Sequence, residues 1–351
     1  MMTNSIKSSK FNLKRAGLAL CLSLCGVASQ AQTLNLYSAR HYDTDEALYA
    51  NFTKATGIKI NRIDLGDDAL LERLRNEGDK SPADVALMVD ASRLFKAQSE
   101  GLFQPIASPV LKARIPAQYT ATDNTWFGFS TRARVIVYNK AAFKPSDVDS
   151  YEKLGAPAIK GKLCTRTGTH PYNMSLWGSM IERLGVDKTE QVLKGYVDNM
   201  ARKPVGGDTD QIKAVASGEC GVTISNTYYL ARLMRSTKPE DKAVMDKVAL
   251  MWPNQIAPND SGTHVNIAGA GVTKYAPNRL AAIAFLEYLA SDSAQKYFAE
   301  GNNEWPVVKS VAVENPALKA MGTFKAETVP AQAFAQRQAL AARLLNIVGY
   351  K

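Results

Sequence analysis

Short apolar segments alternate with amphipathic, helix-forming segments along most of this chain. The alternation is clearest near the beginning, where three predicted strands are each followed by a predicted helix. The strands are 34–37, 58–63 and 84–89, and the helices are 45–56, 69–77 and 91–100. Strand–helix–strand order at this spacing predicts a parallel sheet covered by helices. The pattern therefore restricts the chain to the α/β class.

A long apolar and aromatic segment, 128–138, separates this first unit from a second one. The same alternation restarts after it, and a strand of small residues follows at 265–273. One long strand leaving a first lobe and a later strand returning to it predict two lobes joined by crossing segments. Ligands of open α/β sheets bind at the carboxyl ends of strands, so the cleft between the lobes is the expected site.

The sequence sets approximate boundaries for these lobes. We expect the first lobe to comprise 32–131 with about 265–305, and the second to comprise 132–264 with about 306–351. Helices are predicted at 278–290 and 294–298, and a single amphipathic helix is predicted at 331–345 in the tail.

The first 31 residues have the layout of a secretory signal peptide. Four basic residues and no acid come first: Lys7, Lys10, Lys14 and Arg15. A nearly apolar stretch at 16–28 follows, and the small residues Ser29 and Ala31 then precede a cleavage point before Gln32. Such a segment is removed on export, and in a bacterium it predicts a soluble protein in the periplasm.

The charge distribution argues against a nucleic-acid partner. The whole chain has a formal net charge of +10, and removal of the four basic residues of the signal segment lowers it to +6. The remaining charges are dispersed, with no run of five of one sign. With 46% hydrophobic and 22% charged residues, the composition is that of an ordinary globular protein.

The cysteines point to one disulfide bond in the mature protein. Cys21 and Cys25 fall in the signal segment, which leaves Cys164 and Cys220. An even number of cysteines in an oxidising compartment favours a disulfide, with two buried free thiols as the alternative. Two thiols alone do not complete a zinc site.

Common catalytic motifs are missing from the sequence. It contains no GxSxG, HExxH, P-loop or GxGxxG pattern, and none of its three histidines lies in a recognisable catalytic motif. We interpret His170 and His264 as structural residues. The chain is therefore not expected to be an enzyme.

Three groups of polar and aromatic residues follow predicted strands and are candidate binding residues. They are Arg40-His41-Tyr42, Tyr172 and Tyr228-Tyr229. The last pair should lie on the first turn of a helix capped by Asn226 or Thr227, where free N–H groups favour negatively charged oxygen. Phenolate is a hard anionic donor that suits a hard trivalent cation. A free phenol has a pKa of about 10, so a nearby strong cation must lower it.

The joint pattern of several motifs resembles the periplasmic ferric-iron-binding proteins of ABC transporters. The matching strings are LYSARHY at 36–42, SPADV at 81–85, WFGFSTRARVI at 126–136, HPYN at 170–173, GDTD at 207–210 and SNTYY at 225–229. The resemblance covers essentially the whole mature chain. It implies a two-lobed periplasmic binding protein fold of type II, with mixed sheets flanked by helices and strands crossing between the lobes.

The resemblance also implies a set of metal ligands for Fe(3+). His41 and Tyr42 would come from the first lobe, and Tyr172, Tyr228 and Tyr229 from the second. Some members bind a synergistic anion such as carbonate. The candidates for holding an anion or balancing phenolate charge are Arg132, Arg134 and Arg202, and Arg40 is a further candidate for balancing the charge. Cys164 and Cys220 match a half-cystine pair of some relatives.

The function implied by the resemblance is capture of ferric iron and its delivery to an inner-membrane ABC permease, without enzymatic turnover. The protein is expected to be a monomer that binds no nucleic acid. Two alternatives stay open from the sequence. One is a periplasmic binding protein for an organic cation or an oxyanion, and the other is a periplasmic enzyme.

Overall fold

A computed structural model describes residues 1–3, 32–40 and 44–351. Most of the predicted signal peptide, residues 4–31, therefore lies outside the described residues. Within them, the strands are β1 (Thr33–Ser38), β2 (Lys59–Asp64), β3 (Val85–Met88), β4 (Phe127–Asn139), β5 (Leu163–Cys164), β6 (Val222–Asn226), β7 (Val248–Met251), β8 (Val265–Val272) and β9 (Trp305–Pro306).

Helices cover most of the remaining described residues. They are α1 (Asp45–Thr56), α2 (Asp67–Glu77), α3 (Ala91–Ser99), α4 (Pro109–Arg114), α5 (Pro171–Leu184), α6 (Val186–Asn199), α7 (Asp208–Ser217), α8 (Thr227–Arg235), α9 (Pro239–Lys247), α10 (Arg279–Leu289), α11 (Asp292–Asn302), α12 (Pro316–Ala320), α13 (Ala331–Gln336) and α14 (Gln338–Val348). In the part of the chain that the structure describes, no helix combines the length and apolar character needed to cross a bilayer.

The strands form a mixed sheet system in the order β2-β1-β3-β8-β4-β6-β5, with β7 and β9 also paired to β4. Strand β1 is parallel to β2 and to β3, as the strand–helix alternation predicts. Strand β8 is antiparallel to both β3 and β4, and β6 is antiparallel to β4. The returning strand β8 thus makes the system mixed.

Strand β4 connects two sheets. Its first half pairs with β8 and β9, and its second half pairs with β6 and β7. Twelve of its thirteen residues are buried. A strand covered on both faces needs a nearly continuous apolar run, which explains why this segment does not alternate between apolar and polar residues. Arg132 and Arg134 interrupt the run at the point where β4 passes from one sheet to the other.

Helices cover both faces of each sheet and form separate apolar cores. One core packs α1, α10 and α11 against β1, β3 and β8, and includes Phe52 and Phe285. Another packs α5, α6 and α14 against β6 and the second half of β4, and includes Trp177 and Tyr196. The residues that project from the ends of these strands are therefore held by well-packed elements.

The tail differs from the predicted single helix at 331–345. It forms two helices, α13 and α14, separated at Arg337. Helix α13 lies against α3 and α5, and a Cβ atom on Gly178 of α5 would come within 2.3 Å of the Phe334 carbonyl oxygen. This close backbone approach fixes the position of α13, and the chain turns at Arg337 before α14 packs on α5 and α6.

The predicted disulfide bond is confirmed. Cys164, at the end of β5, is bonded to Cys220, just before β6, with a Cα–Cα distance of 5.8 Å. Both residues are buried among apolar side chains of the second sheet. The bond closes a loop of sequence separation 56, which spans α5, α6 and α7.

Replacement of both cysteines, as in the double variant Cys164→Ser/Cys220→Ser, should lower the free energy of unfolding by about 4 kcal/mol, because the bond restricts the unfolded chain. Urea denaturation of the oxidised protein and the double variant would measure the difference. Thiol counting of the denatured, unreduced wild-type protein should find no free thiol. Two reactive thiols per mature chain would contradict the bond.

Candidate metal centre

The first turn of α5 presents Tyr172. Helix α5 begins at Pro171, and the His170 side chain caps it by accepting a hydrogen bond from the Tyr172 N–H to Nδ1 at 3.2 Å. Burial, with the Arg166 and Arg134 charges, lowers the pKa of His170 to about 3. The ring is therefore neutral at physiological pH, as a hydrogen-bond acceptor must be. This matches the structural role predicted for His170.

Helix α8 begins directly after β6 and presents Tyr228 and Tyr229 on its first turn, as predicted. Asn226 is the N-cap residue, but its side chain makes no capping bond. The Asn226 Oδ1 atom accepts a hydrogen bond from Arg134 at 3.2 Å instead, and Thr227 Oγ1 accepts one from the Ala133 N–H at 3.3 Å. Contacts to β4 thus fix the start of this helix.

The three tyrosines of α5 and α8 form one cluster. The Tyr228 hydroxyl donates a hydrogen bond to the Tyr172 hydroxyl oxygen at 3.1 Å. The Tyr228 and Tyr229 rings are in contact, with centroids 4.3 Å apart. Tyr228 is almost fully buried, whereas Tyr172 and Tyr229 are partly exposed. Two phenol oxygens this close, each on a residue in the first turn of a helix, can bind the same cation.

Guanidinium groups surround the tyrosine cluster. Those of Arg132 and Arg166 lie 5.5 and 5.2 Å from the centre of the Tyr172 ring. That of Arg232 lies 5.2 Å from the Tyr228 ring and 5.7 Å from the Tyr229 ring. Positive charge close to a tyrosine ring favours the ionised form of its phenol.

Of these three arginines, Arg132 was predicted from the sequence, and Arg166 and Arg232 were not. Arg232 follows Tyr228 by four residues and Tyr229 by three, the spacing at which side chains meet on a helix surface. That spacing could have identified it. Arg166 carries no comparable signal, because it approaches Tyr172 from the end of β5.

Arg134 is held in a buried network. Its Nη1 atom forms an ion pair with Asp208 and its Nη2 atom donates to Asn173 Oδ1 at 2.7 Å. Asp208 also accepts the Asn226 N–H at 2.8 Å and pairs with Arg166 at 3.3 Å. The network therefore ties the start of α8 to that of α5, and so positions the tyrosines.

Arg132 joins the tyrosine cluster to the first sheet. Its Nη2 atom donates to the Val89 carbonyl oxygen and lies 3.7 Å from an Asp90 carboxylate oxygen. A narrow cavity separates Arg132, Arg134, His264 and Tyr172. No described residue forms a hydrogen bond with Arg132 Nη1 or Arg134 Nε.

The third predicted charge partner, Arg202, has other contacts. Its Nε atom pairs with Glu219 at 2.7 Å, and its Nη2 atom donates to Gln211 at 3.1 Å. The structure places it beside α7, without a described contact to Tyr172, Tyr228 or Tyr229.

The predicted first-lobe ligands, His41 and Tyr42, lie outside the described residues. The segments on either side are well anchored. Arg40 is buried and pairs with Asp45 and Glu304, each at 3.0 Å. The remaining histidine, His264, is buried with its Nδ1 atom 2.5 Å from Glu327, which matches its predicted structural role.

One carboxyl group beside Val89 should make stability depend on pH. Burial and the nearby Asp90 carboxylate raise the pKa of Asp67 to about 6, above the value of 3.8 for an unperturbed group. The folded state therefore binds the proton more tightly than the unfolded state does. Ionisation of Asp67 costs stability fully above pH 6, and this cost disappears below about pH 4.

Asp67→Asn should consequently stabilise the protein by up to about 3 kcal/mol at pH 7.5 and have little effect near pH 4. The amide oxygen can still accept the hydrogen bond that the Val89 N–H donates to Asp67 Oδ1 at 3.3 Å. Urea denaturation at both pH values measures the change. The neighbouring exposed residue provides the control, because Asp68→Asn should give no gain. An equal gain at both pH values would contradict this explanation.

Known proteins resemble this chain over nearly its full length. The model for bacterial extracellular solute-binding proteins matches residues 47–326. Iron uptake protein A2 of Synechocystis sp. is 46% identical over 324 residues, covering 92% of each chain. The structure of Trichodesmium IdiA (FutA) in complex with iron and citrate ligands has a TM-score of 0.87 and 51% identity, covering 91% of this chain and 100% of that one.

The ferric binding protein from Campylobacter jejuni is also similar, with a TM-score of 0.85 and 36% identity over 91% of this chain and 100% of that one. These similarities confirm the predicted two-lobed periplasmic binding protein fold. The chain belongs to the family of bacterial extracellular solute-binding proteins.

Proposed function

We propose that this protein captures ferric iron in the periplasm and delivers it to an inner-membrane ABC permease. The observation that carries the proposal is the pair of phenol oxygens of Tyr172 and Tyr228, which lie 3.1 Å apart and belong to residues in the first turns of α5 and α8. Phenolate oxygen is a hard anionic donor of the kind that Fe(3+) prefers. Relatives with iron uptake and ferric binding in their names support the same cargo.

The proposed ligand set is His41, Tyr42, Tyr172, Tyr228 and Tyr229. Four phenolates and a neutral imidazole would give the ferric site a net negative charge. The guanidinium groups of Arg132, Arg166 and Arg232 lie 5.2 to 5.5 Å from the centres of the tyrosine rings. Their positive charge would offset this negative charge. Arg132 and Arg134 remain the candidates for holding a small anion such as carbonate.

We assign the ligands to two lobes with the boundaries expected from the sequence. His41 and Tyr42 would belong to the first lobe, and the three tyrosines of α5 and α8 to the second. A metal ion bound by both lobes favours the closed form by its extra affinity for that form. The permease would recognise this closed form, and the binding protein would carry out no chemical turnover.

The test is a visible spectrum and metal analysis of the purified protein. Ferric iron bound to phenolate should give an intense charge-transfer band and stoichiometric iron. Because each phenolate ligand must lose a proton, iron binding should release protons and weaken in acid.

An acid titration should therefore bleach the band while the far-ultraviolet circular dichroism is unchanged. A colourless protein that retains an organic ligand would favour the alternative cargo. A band that persists until the fold collapses would argue against a tyrosine-built site.

A further inference from the structure

A cavity of about 530 Å³ opens beside the tyrosine cluster and shares Tyr229 with it. Its walls come from α7, α8 and α9 and from the end of α11. Arg235 joins two of these walls, because its Nη1 atom donates to the Glu300 carbonyl oxygen and to Asn303 Oδ1, both at 2.8 Å. This contact holds the end of α8 against the end of α11 at the edge of the cavity.

The lining of this cavity is predominantly basic. Four cationic side chains face two carboxylates: Lys213, Arg232, Arg235 and Lys238 against Glu240 and Asp241. Asp241 accepts a hydrogen bond from the Ser236 hydroxyl at 2.6 Å. Both lysines are exposed, and neither ammonium group forms a hydrogen bond or ion pair with a described residue. Their charges are thus available to an anionic ligand.

We infer that this cavity binds the free carboxylates of an iron chelate and presents the chelated iron to Tyr229. This inference rests on the proposed function. Ferric ion hydrolyses in neutral water, so it reaches a binding protein as a complex, and small polycarboxylate chelates of iron carry negative charge. Arg232 lies between the two sites, because its guanidinium contacts the Tyr228 and Tyr229 rings and also lines the cavity.

The transfer is a ligand exchange in which iron stays ferric. Each tyrosine that binds gives its proton to solvent, and a phenolate–iron bond replaces a carboxylate–iron bond. The released carboxylate stays ionised beside the basic side chains and then leaves with the chelator. Basic side chains along this path should mainly raise the rate of association, which falls as salt screens the charges.

The experiment compares two ferric chelates that differ in net charge. Ferric citrate is anionic, and ferric tris(acetohydroxamate) is uncharged. The variant Lys213→Gln/Lys238→Gln should load iron about 10-fold more slowly from citrate and at an unchanged rate from the hydroxamate. Bound iron is measured at intervals after rapid desalting. Added salt should slow wild-type loading from citrate only.

A matched control removes the same charge elsewhere. Lys188 and Lys194 are exposed on α6, and the variant Lys188→Gln/Lys194→Gln should load normally from both chelates. Equal slowing in the control would assign the effect to net charge and overturn the inference. The inference would also be overturned if Lys213→Gln/Lys238→Gln loaded iron equally slowly from both chelates, or if it loaded at the wild-type rate from citrate.

Two further outcomes separate this inference from the proposed function. Wild-type protein that takes iron from neither chelate would refute ferric binding itself, and the cavity assignment with it. Lysine variants that load normally but fail to deliver iron to the permease would make the cavity a protein interface and refute only the chelate assignment.

Discussion

Tyr228→Phe and Tyr172→Phe should each weaken iron retention more than about 100-fold and shift or abolish the visible band. The estimate is a lower bound, because loss of a group that merely supports a metal ligand already costs 10–100-fold. Phenylalanine keeps the ring packing but removes the oxygen, so the variants lose a donor and also the 3.1 Å contact between the two hydroxyls. Tyr229→Phe should weaken iron retention and change the visible band in the same way. Citrate competition at neutral pH measures retention.

A tyrosine elsewhere on the surface provides the control for these variants. Tyr275 is about half exposed and belongs to a different cavity. Tyr275→Phe should keep wild-type colour and retention, and far-ultraviolet circular dichroism should match for all variants. If Tyr172→Phe and Tyr228→Phe also keep wild-type colour, the cluster is not the iron site.

Much of the fold was predictable because local sequence and tertiary structure agree. Helix α1 begins and ends as predicted, and Gly57 closes it with a φ of +74°, a conformation that glycine adopts readily. The tail was not predictable in the same way. Its apolar spacing suits one helix, but the close approach of Phe334 to Gly178 is a tertiary contact that the sequence does not reveal.

The candidate site was also predictable only in part from the sequence. The tyrosines were identifiable because each follows a strand, and strand ends meet at the cleft of an α/β fold. Arg132 and Arg134 were identifiable as cations in an otherwise apolar segment, but their partners were not. Arg134 pairs with Asp208 across 74 positions of sequence, and a long-range pair of this kind becomes evident only in the folded structure.

The Asp208 carboxylate is central to how the tyrosines are positioned. It lies fully buried at the first position of α7 and binds the side chains of Arg134 and Arg166 and the N–H of Asn226. Asn226 immediately precedes α8. One carboxylate therefore neutralises a buried arginine of the crossing strand β4 and fixes the turn from which Tyr228 and Tyr229 project.

Asp208→Asn should lower the free energy of unfolding of the iron-free protein by about 4 kcal/mol. The amide keeps the shape of the side chain but leaves the Arg134 guanidinium buried without its carboxylate, and breaking such a pair on one side is strongly destabilising. Urea denaturation measures the loss. Asp210 provides the control in the same helix turn, because it is exposed and, among the described residues, accepts a side-chain hydrogen bond only from the Gly207 N–H, at 2.7 Å. Asp210→Asn should cost about 0.5 kcal/mol. Equal losses in the two variants would show that the helix N-terminus, and not the buried ion pair, determines the effect.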